Sequence, residues 1–177
     1  FEKAEFFWNI GLDAVKNVTN LISKYNIDCA LKPGILHAGN TKKDYKYFLE
    51  EIEHMKSKYS YDNYEYFDEN SIKDEVNTDQ YYSGLLTNDS FHLNPLKLTY
   101  GLANQCLNKG ISIFENSPID KIEEKDNNIL LFSKNAVIKS KKVIVACNGY
   151  LDNLLGSVSN FFMPINNYII ATEPLGE

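Results

Sequence analysis

The segment HLNPLKLTYGLANQCLNKGISIF, residues 92–114, carries the signals for both ends of one helix and for the strand after it. The Asn94 side chain is suited to accept from a first-turn N–H, and Pro95 fits the first helical position, where a missing N–H loses no hydrogen bond. Leu98, Leu102 and Cys106 recur every four residues and share one face. Gly110 then supplies the residue type that ends helices in the left-handed region, and Ile111–Phe114 begins an extended run at once. Helix, glycine and strand in that order form the second half of a βαβ crossover. The chain is therefore expected to be a mixed protein of α/β (α+β) class.

The flanking segments extend this expectation. PIDKIEE, NILLFS and AVIKS alternate with a period of two and are separated by KDNN and KN, so residues Ile119 to Ser140 predict an antiparallel meander. KKVIVACNGYLDNLL, residues 141–155, then has the continuous Val/Ile run of a strand covered on both faces, Val143 to Ala146, stopping at Cys147, Asn148 and Gly149. Asn and Gly tolerate unusual backbone angles and close approach, and ligands of α/β sheets sit beyond the carboxyl ends of such strands. The helix from Asn94 to Lys109 is expected to pack on a sheet containing both the Ile111 and the Val143 strands.

Towards the N-terminus, Phe7, Ile10, Ala14, Val18, Leu21 and Tyr25 form a helical stripe ending near Asn26. DCALKPGILHA predicts two short extended runs meeting at Pro33 and Gly34. TKKD has capping-box spacing and precedes a second helical stripe, Tyr45, Phe48, Leu49, Ile52, Met55 and Tyr59. YSYDNYEYF closes that helix and starts a strand, DENSIKDEV predicts a short capped helix, and YYSGLLT a strand with Gly84 within it.

Eighteen basic against 24 acidic residues leave a formal charge of −6, with no continuous Lys/Arg stripe. Nucleic acid and anionic membrane surfaces are thereby disfavoured as partners. The apolar stretch FFMPINNYIIA is broken by Pro164 and two asparagines and is too short for a membrane span. Cys29, Cys106 and Cys147 are odd in number and show no C-x-x-C spacing, which predicts buried, reduced thiols rather than a disulfide framework or a zinc site. His37, His54 and His92 share no ligand-like spacing, so no metal is expected. His54 lies among Glu50, Glu51 and Glu53 on a solvated helix face, and Asp120, Glu123 and Glu124 mark an exposed hairpin edge.

The order of these elements carries a family resemblance. NPLKLTYGLANQCLNKGISIFENSPIDKIE, the meander, KKVIVACNGYLDNLL and MPINNYIIATEPL, with CALKPGILHAGN and YYSGLLT before them, together resemble the central part of the D-amino-acid-oxidase-like (DAO) family of FAD-dependent oxidoreductases. The closest look is to amine and amino-acid oxidases of the sarcosine-oxidase and gamma-glutamylputrescine-oxidase type. The resemblance implies a partial FAD/NAD(P)-binding-type domain with a β-meander and part of an antiparallel substrate-domain sheet. It apportions residues 1–26 to a helix of the FAD-binding part, 27–92 to the substrate-domain sheet with a helical insert, 93–160 to the FAD-binding segment, and 161–177 to a strand returning to the substrate domain.

By the same resemblance, Ala146, Cys147 and Asn148, with Gly149 just after, correspond to the A-T-G type strand end that approaches FAD. Cys147 for Thr and Asn148 for Gly are departures that leave a main-chain contact available. Ile119 corresponds to a residue whose backbone lies against the adenine, and Asn167 and Tyr168 to a strand near the flavin ring and the substrate. The implied function is oxidation of a small amine or amino acid: FAD takes a hydride from the carbon bearing the nitrogen, and the imine hydrolyses. The cofactor carries that chemistry. No catalytic residue is assigned within these residues.

The G-x-G-x-x-G turn that brings pyrophosphate onto a helix N-terminus is not in the sequence, and the chain begins with Phe1 rather than Met. An internal fragment of a cytoplasmic enzyme is expected, which by itself neither holds FAD tightly nor catalyses. The competing expectation is a non-enzymatic α/β interaction module, or a flavoprotein in which FAD is structural.

Overall fold

The computed structural model describes residues 2–151, 154–161, 163, 165, 166, 168 and 173. The chain divides into two compact units, Phe1–Ile113 and Phe114–Glu177. The first contains α1 (Glu2–Lys24), β1 (Lys32–Gly39), α2 (Asp44–Tyr59), β2 (Tyr64–Phe67), α3 (Ser71–Val76), β3 (Ser83–His92) and α4 (Pro95–Asn108). The second contains β4 (Ile119–Lys125), β5 (Asn128–Ser133), β6 (Val137–Ser140) and the short α5 (Gly156–Ser159).

In the first unit β3 is the central strand of an antiparallel sheet ordered β1-β3-β2. Leu36 pairs with Leu86, and Tyr66 with Leu85. The expected pair of extended runs around Pro33 is a single strand instead: the ladder shifts register between Pro33 and Ile35, where Gly34 takes φ +88°. One bulged residue absorbs the bend that two strands and a turn would otherwise make. His92 lies across this bulge, its Nδ1 3.2 Å from the Gly34 carbonyl.

Helices α2 and α3 seat the sheet. Phe48 is the buried residue of α2, and Gly39 lets that helix close on the strand ends: a Cβ there would stand 2.5 Å from Ser83 Oγ and 2.9 Å from Asp44 Cβ. The Asp44 carboxylate accepts from the Thr41 N–H at 2.8 Å, which is one arm of the expected capping box. Ile72 of α3 is fully buried and meets β3 where Gly84 has no side chain. Burying a side chain of that size stabilises by about 1.5–3 kcal/mol. Asp68 caps α3 by accepting from the Ser71 and Asn70 N–H groups, both at 2.9 Å. Those bonds, Ser71's first, hold its carboxyl below the ordinary value.

Helix α4 starts and stops where its signals lie. Asn94 Oδ1 accepts from Lys97 N–H at 3.0 Å, and Gly110 follows at φ +77°. Its packing differs from expectation. Leu98 and Leu102 join the cluster of Ile22, Ile27 and Cys29, so the apolar face of α4 meets the end of α1 and the segment after it. Residues Ile111 to Phe114 are exposed and belong to no ladder.

Helix α1 also presents a different face. Phe7, Ile10, Val18 and Leu21 of the predicted stripe are exposed, whereas Ile22 is buried and Trp8, Leu12 and Thr19 are half-buried. The apolar arc of this helix is wide, running from Phe6 and Ile10 round to Trp8 and Leu12 opposite a polar face of Glu5, Asn9, Asp13, Lys16 and Asn20, so periodicity alone does not select which part of that arc is buried.

The second unit holds the predicted meander, ordered β4-β5-β6, with Ile122 opposite Leu131 and Leu131 opposite Ile138. Val143 to Ala146, expected as a buried parallel strand, forms no ladder, and Ile144 is 91% exposed. A strand covered on both faces needs hydrogen-bonded neighbours and packed layers. Among the described residues of this unit nothing supplies them, and the run carries no regular structure before a 3-10 turn at Asn148–Tyr150. Cys29 is buried as expected, Cys106 is half-buried, and Cys147 is exposed, contrary to expectation.

Candidate functional site

In the second unit the start of β4 and residues 143–151, with Leu154, form the walls of an open groove of ≈ 670 Å³. Ile119 and Cys147 both line it, so two positions far apart in sequence meet at one surface. Pro118, Ile122, Val143 and Tyr150 complete much of the wall. The ladder shifts register between Ile119 and Lys121, which ends regular pairing at this point. Beyond Cys147 the chain turns sharply: the Tyr150 N–H donates to the Cys147 carbonyl at 3.0 Å, and Asn148 takes φ +50°. That left-handed angle is one that Asn tolerates better than most residues.

Ala146, Asn148 and Gly149 flank the groove in the chain without lining it, and all three are exposed. Tyr168 is exposed and lines none of the cavities described here, while Asn167 lies outside the described residues. Tyr150, Val143 and Leu151 are groove residues that sequence reasoning missed. Their signal is in the apolar residues bracketing Asn148 and Gly149, of which the first run reads in sequence as a sheet strand.

The donor set decides what the groove can hold. Its walls are mostly aliphatic and aromatic, Asp120 is the carboxylate among them, and no Lys or Arg lines it among the described residues. A diphosphate would find no cationic partner here. A flat, apolar ring would find contact area on Ile119 and Tyr150 and main-chain groups at the turn. The residues therefore fit the ring portion of a dinucleotide cofactor and not its phosphates.

A second cavity, ≈ 720 Å³, opens in the first unit between α1, α2 and the sheet. Trp8, Glu51, Tyr61, Tyr64 and Asp89 line it. The Tyr61 hydroxyl donates to Asp89 Oδ1 in a short bond, Asn63 Nδ2 donates to Asp89 Oδ2 at 3.0 Å, and the Tyr64 hydroxyl donates to Glu51 Oε1 at 3.3 Å. Burial, then Asp89, raises the Tyr61 phenol well above its ordinary value; burial, then Glu51, pushes Tyr64 up to about 12. No sequence expectation singled out this cluster. The polar TNDS step within an otherwise apolar strand and the tyrosines of YSYDNYEYF were its signal.

Among the described residues no group of three or more His, Cys, Asp or Glu side chains is placed to hold a metal, and no helix is long and apolar enough to cross a membrane.

The antiparallel sheet flanked by helices and the separate β-meander with an apolar groove beside it form a fold shared with solved structures. The crystal structure of glycine oxidase from Geobacillus kaustophilus superposes with a TM-score of 0.69 at 13% identity, covering 84% of this chain and 40% of that one. The chain belongs to the FAD dependent oxidoreductase family, DAO, which it matches over residues 1–177. It is 31% identical over 180 residues to the probable oxidoreductase OrdL of Haemophilus influenzae, covering 99% of this chain and 42% of that protein. It is 32% identical over 157 residues to the gamma-glutamylputrescine oxidoreductase of Escherichia coli K12, covering 88% of this chain and 36% of that protein. The chain thus spans about two fifths of the length of the curated relatives it matches most extensively.

Proposed function

We propose that the chain is the central segment of a cytoplasmic FAD-dependent oxidoreductase that oxidises a small amine or amino acid by hydride transfer to the flavin. The observation that carries this reading is the groove in which Ile119 and Cys147 meet, in a chain of the DAO family. The similarity to a gamma-glutamylputrescine oxidoreductase and the shared fold with a glycine oxidase support the amine class of substrate. When bound, FAD supplies the hydride-accepting ring.

The chain's own residues then have limited and definable tasks. Ile119, Val143 and Leu151 exclude water from the groove, and Tyr150 offers a ring to stack on. Backbone groups at Ile119 and at the Ala146–Gly149 turn orient the cofactor's edge without contributing charge. Asn167 and Tyr168 are assigned to the substrate side. With no cationic side chain in the groove among the described residues, the 177 residues alone hold FAD weakly and do not catalyse; the cofactor's phosphates need partners elsewhere in the longer protein.

The test is anaerobic mixing of the full-length, FAD-loaded protein with a panel of small amines and amino acids, followed at the flavin absorption band. Bleaching by a member of the panel is expected. Bleaching by a hydroxy acid and by no amine overturns the substrate class.

A further inference from the structure

The cavity of the first unit is lined in a way that packing alone does not require. A cleft of ≈ 720 Å³, open to solvent on one side, lies beside Trp8, Tyr61 and Tyr64. The three rings form a continuous edge-to-face series: Trp8 and Tyr61 have centroids 5.1 Å apart at 82°, and Tyr61 and Tyr64 5.0 Å apart at 81°. Two carboxylates stand in the same wall, each held by a tyrosine hydroxyl, and Asp89 by Asn63 as well.

The charge of this wall is negative. Asp89 and Glu51 each use some of their acceptor positions on these donors, and a carboxylate offers about four. The lining residues with a basic side chain are Lys16 and His37; Lys16 is drawn to Asp13, at 4.0 Å on the exposed side of α1. The phenols are protonated at neutral pH, as any phenol is, and burial and the neighbouring carboxylates move both further in that direction. They therefore act as neutral donors and π-faces rather than as further anions. An anionic ligand would meet two carboxylates with only the exposed Lys16 at the rim to offset them, and a metal ion would find only two acids among aromatic rings. An ammonium group gains from both features at once, by ion pairing with the carboxylates and by attraction to the ring faces. Phe7, Leu12 and Leu85 in the rest of the lining supply apolar surface for a stem.

We infer that this cavity is a binding site for an organic cation, a protonated amine carried on an apolar stem, seated against Trp8, Tyr61 and Tyr64 with its charge toward Asp89 and Glu51. The site shares no residue with the groove at Ile119 and Cys147, and its occupancy does not depend on flavin chemistry. It is thus a second place where the protein recognises amines, separate from any oxidation of them.

Trp8 is the only tryptophan in the sequence, so its fluorescence reports this cavity directly. The flavin-free chain is titrated at neutral pH with hexylammonium, hexan-1-ol and hexanoate, which share a stem and differ in head group. A saturable change in Trp8 emission is expected with hexylammonium and not with the other two over the same range. Asp89→Asn is expected to weaken hexylammonium binding at least about tenfold, the factor expected for losing one charge-assisted contact. Because Asp89 also anchors Tyr61, Glu51→Gln is made alongside it; Glu51 accepts from the Tyr64 hydroxyl, a bond that a glutamine oxygen can still accept, and the same weakening is expected. No saturable response to hexylammonium, an equal response to hexan-1-ol or hexanoate, or unchanged affinity in the Glu51→Gln chain would each overturn the proposal.

Discussion

Tyr61 shows how one residue couples stability to chemistry in this fold. It is buried, donates to Asp89 on β3 and contacts the rings of both Trp8 and Tyr64, so it ties the chain after α2 to α1 and to the sheet. Its phenol and that of Tyr64 titrate higher in the folded state than the ordinary 10.0, Tyr64 at about 12. Below pH 10 both states hold their protons and the stabilisation is fully present. As pH rises from 10 toward 12 the unfolded chain releases protons that the folded chain retains, so the folded state binds more protons and stability falls. Urea midpoints measured between pH 9 and pH 11.5 are therefore expected to decline, and Tyr61→Phe together with Tyr64→Phe to flatten that decline. An equally steep loss in the double variant would show that other groups are responsible.

At the level of elements, α4 is the most legible part of the chain because both of its ends are written in local chemistry. Asn94→Ala removes the acceptor for the Lys97 N–H and is expected to cost about 1 kcal/mol; a denaturation midpoint unchanged from the parent would deny the cap its role. The meander was legible for the same reason, since period-two alternation and Asn/Asp turns are short-range signals. The strands expected at Ile111 and Val143 were not, because an apolar run becomes a strand only when a neighbour completes its ladder, and none does so among the described residues. The buried side of α1 was hidden by the width of its apolar arc, which spans more surface than its neighbours cover. Cys147 was expected inside because a strand was expected around it; with the ladder absent, the thiol is exposed.

For the whole molecule, family membership was legible from the order of segments, while the site was legible only in part. Ile119 and Cys147 were named from resemblance and do meet at one groove, yet Tyr150 and Val143, which form much of its wall, were not. The Tyr61–Asp89 cavity combines residues from α1, α2 and the sheet, a grouping that no local pattern announces. The central claim of the account is that the Ile119–Cys147 groove faces the flavin cofactor. Cys147 is the exposed cysteine of this chain, whereas Cys29 is buried and Cys106 half-buried, so its alkylation rate reads that groove. The full-length protein is treated with a thiol-alkylating reagent in flavin-free and FAD-loaded forms, and modification of Cys147 is followed by peptide mass mapping. The account predicts ready modification without flavin and protection once FAD is loaded; the same rate in both forms would contradict it.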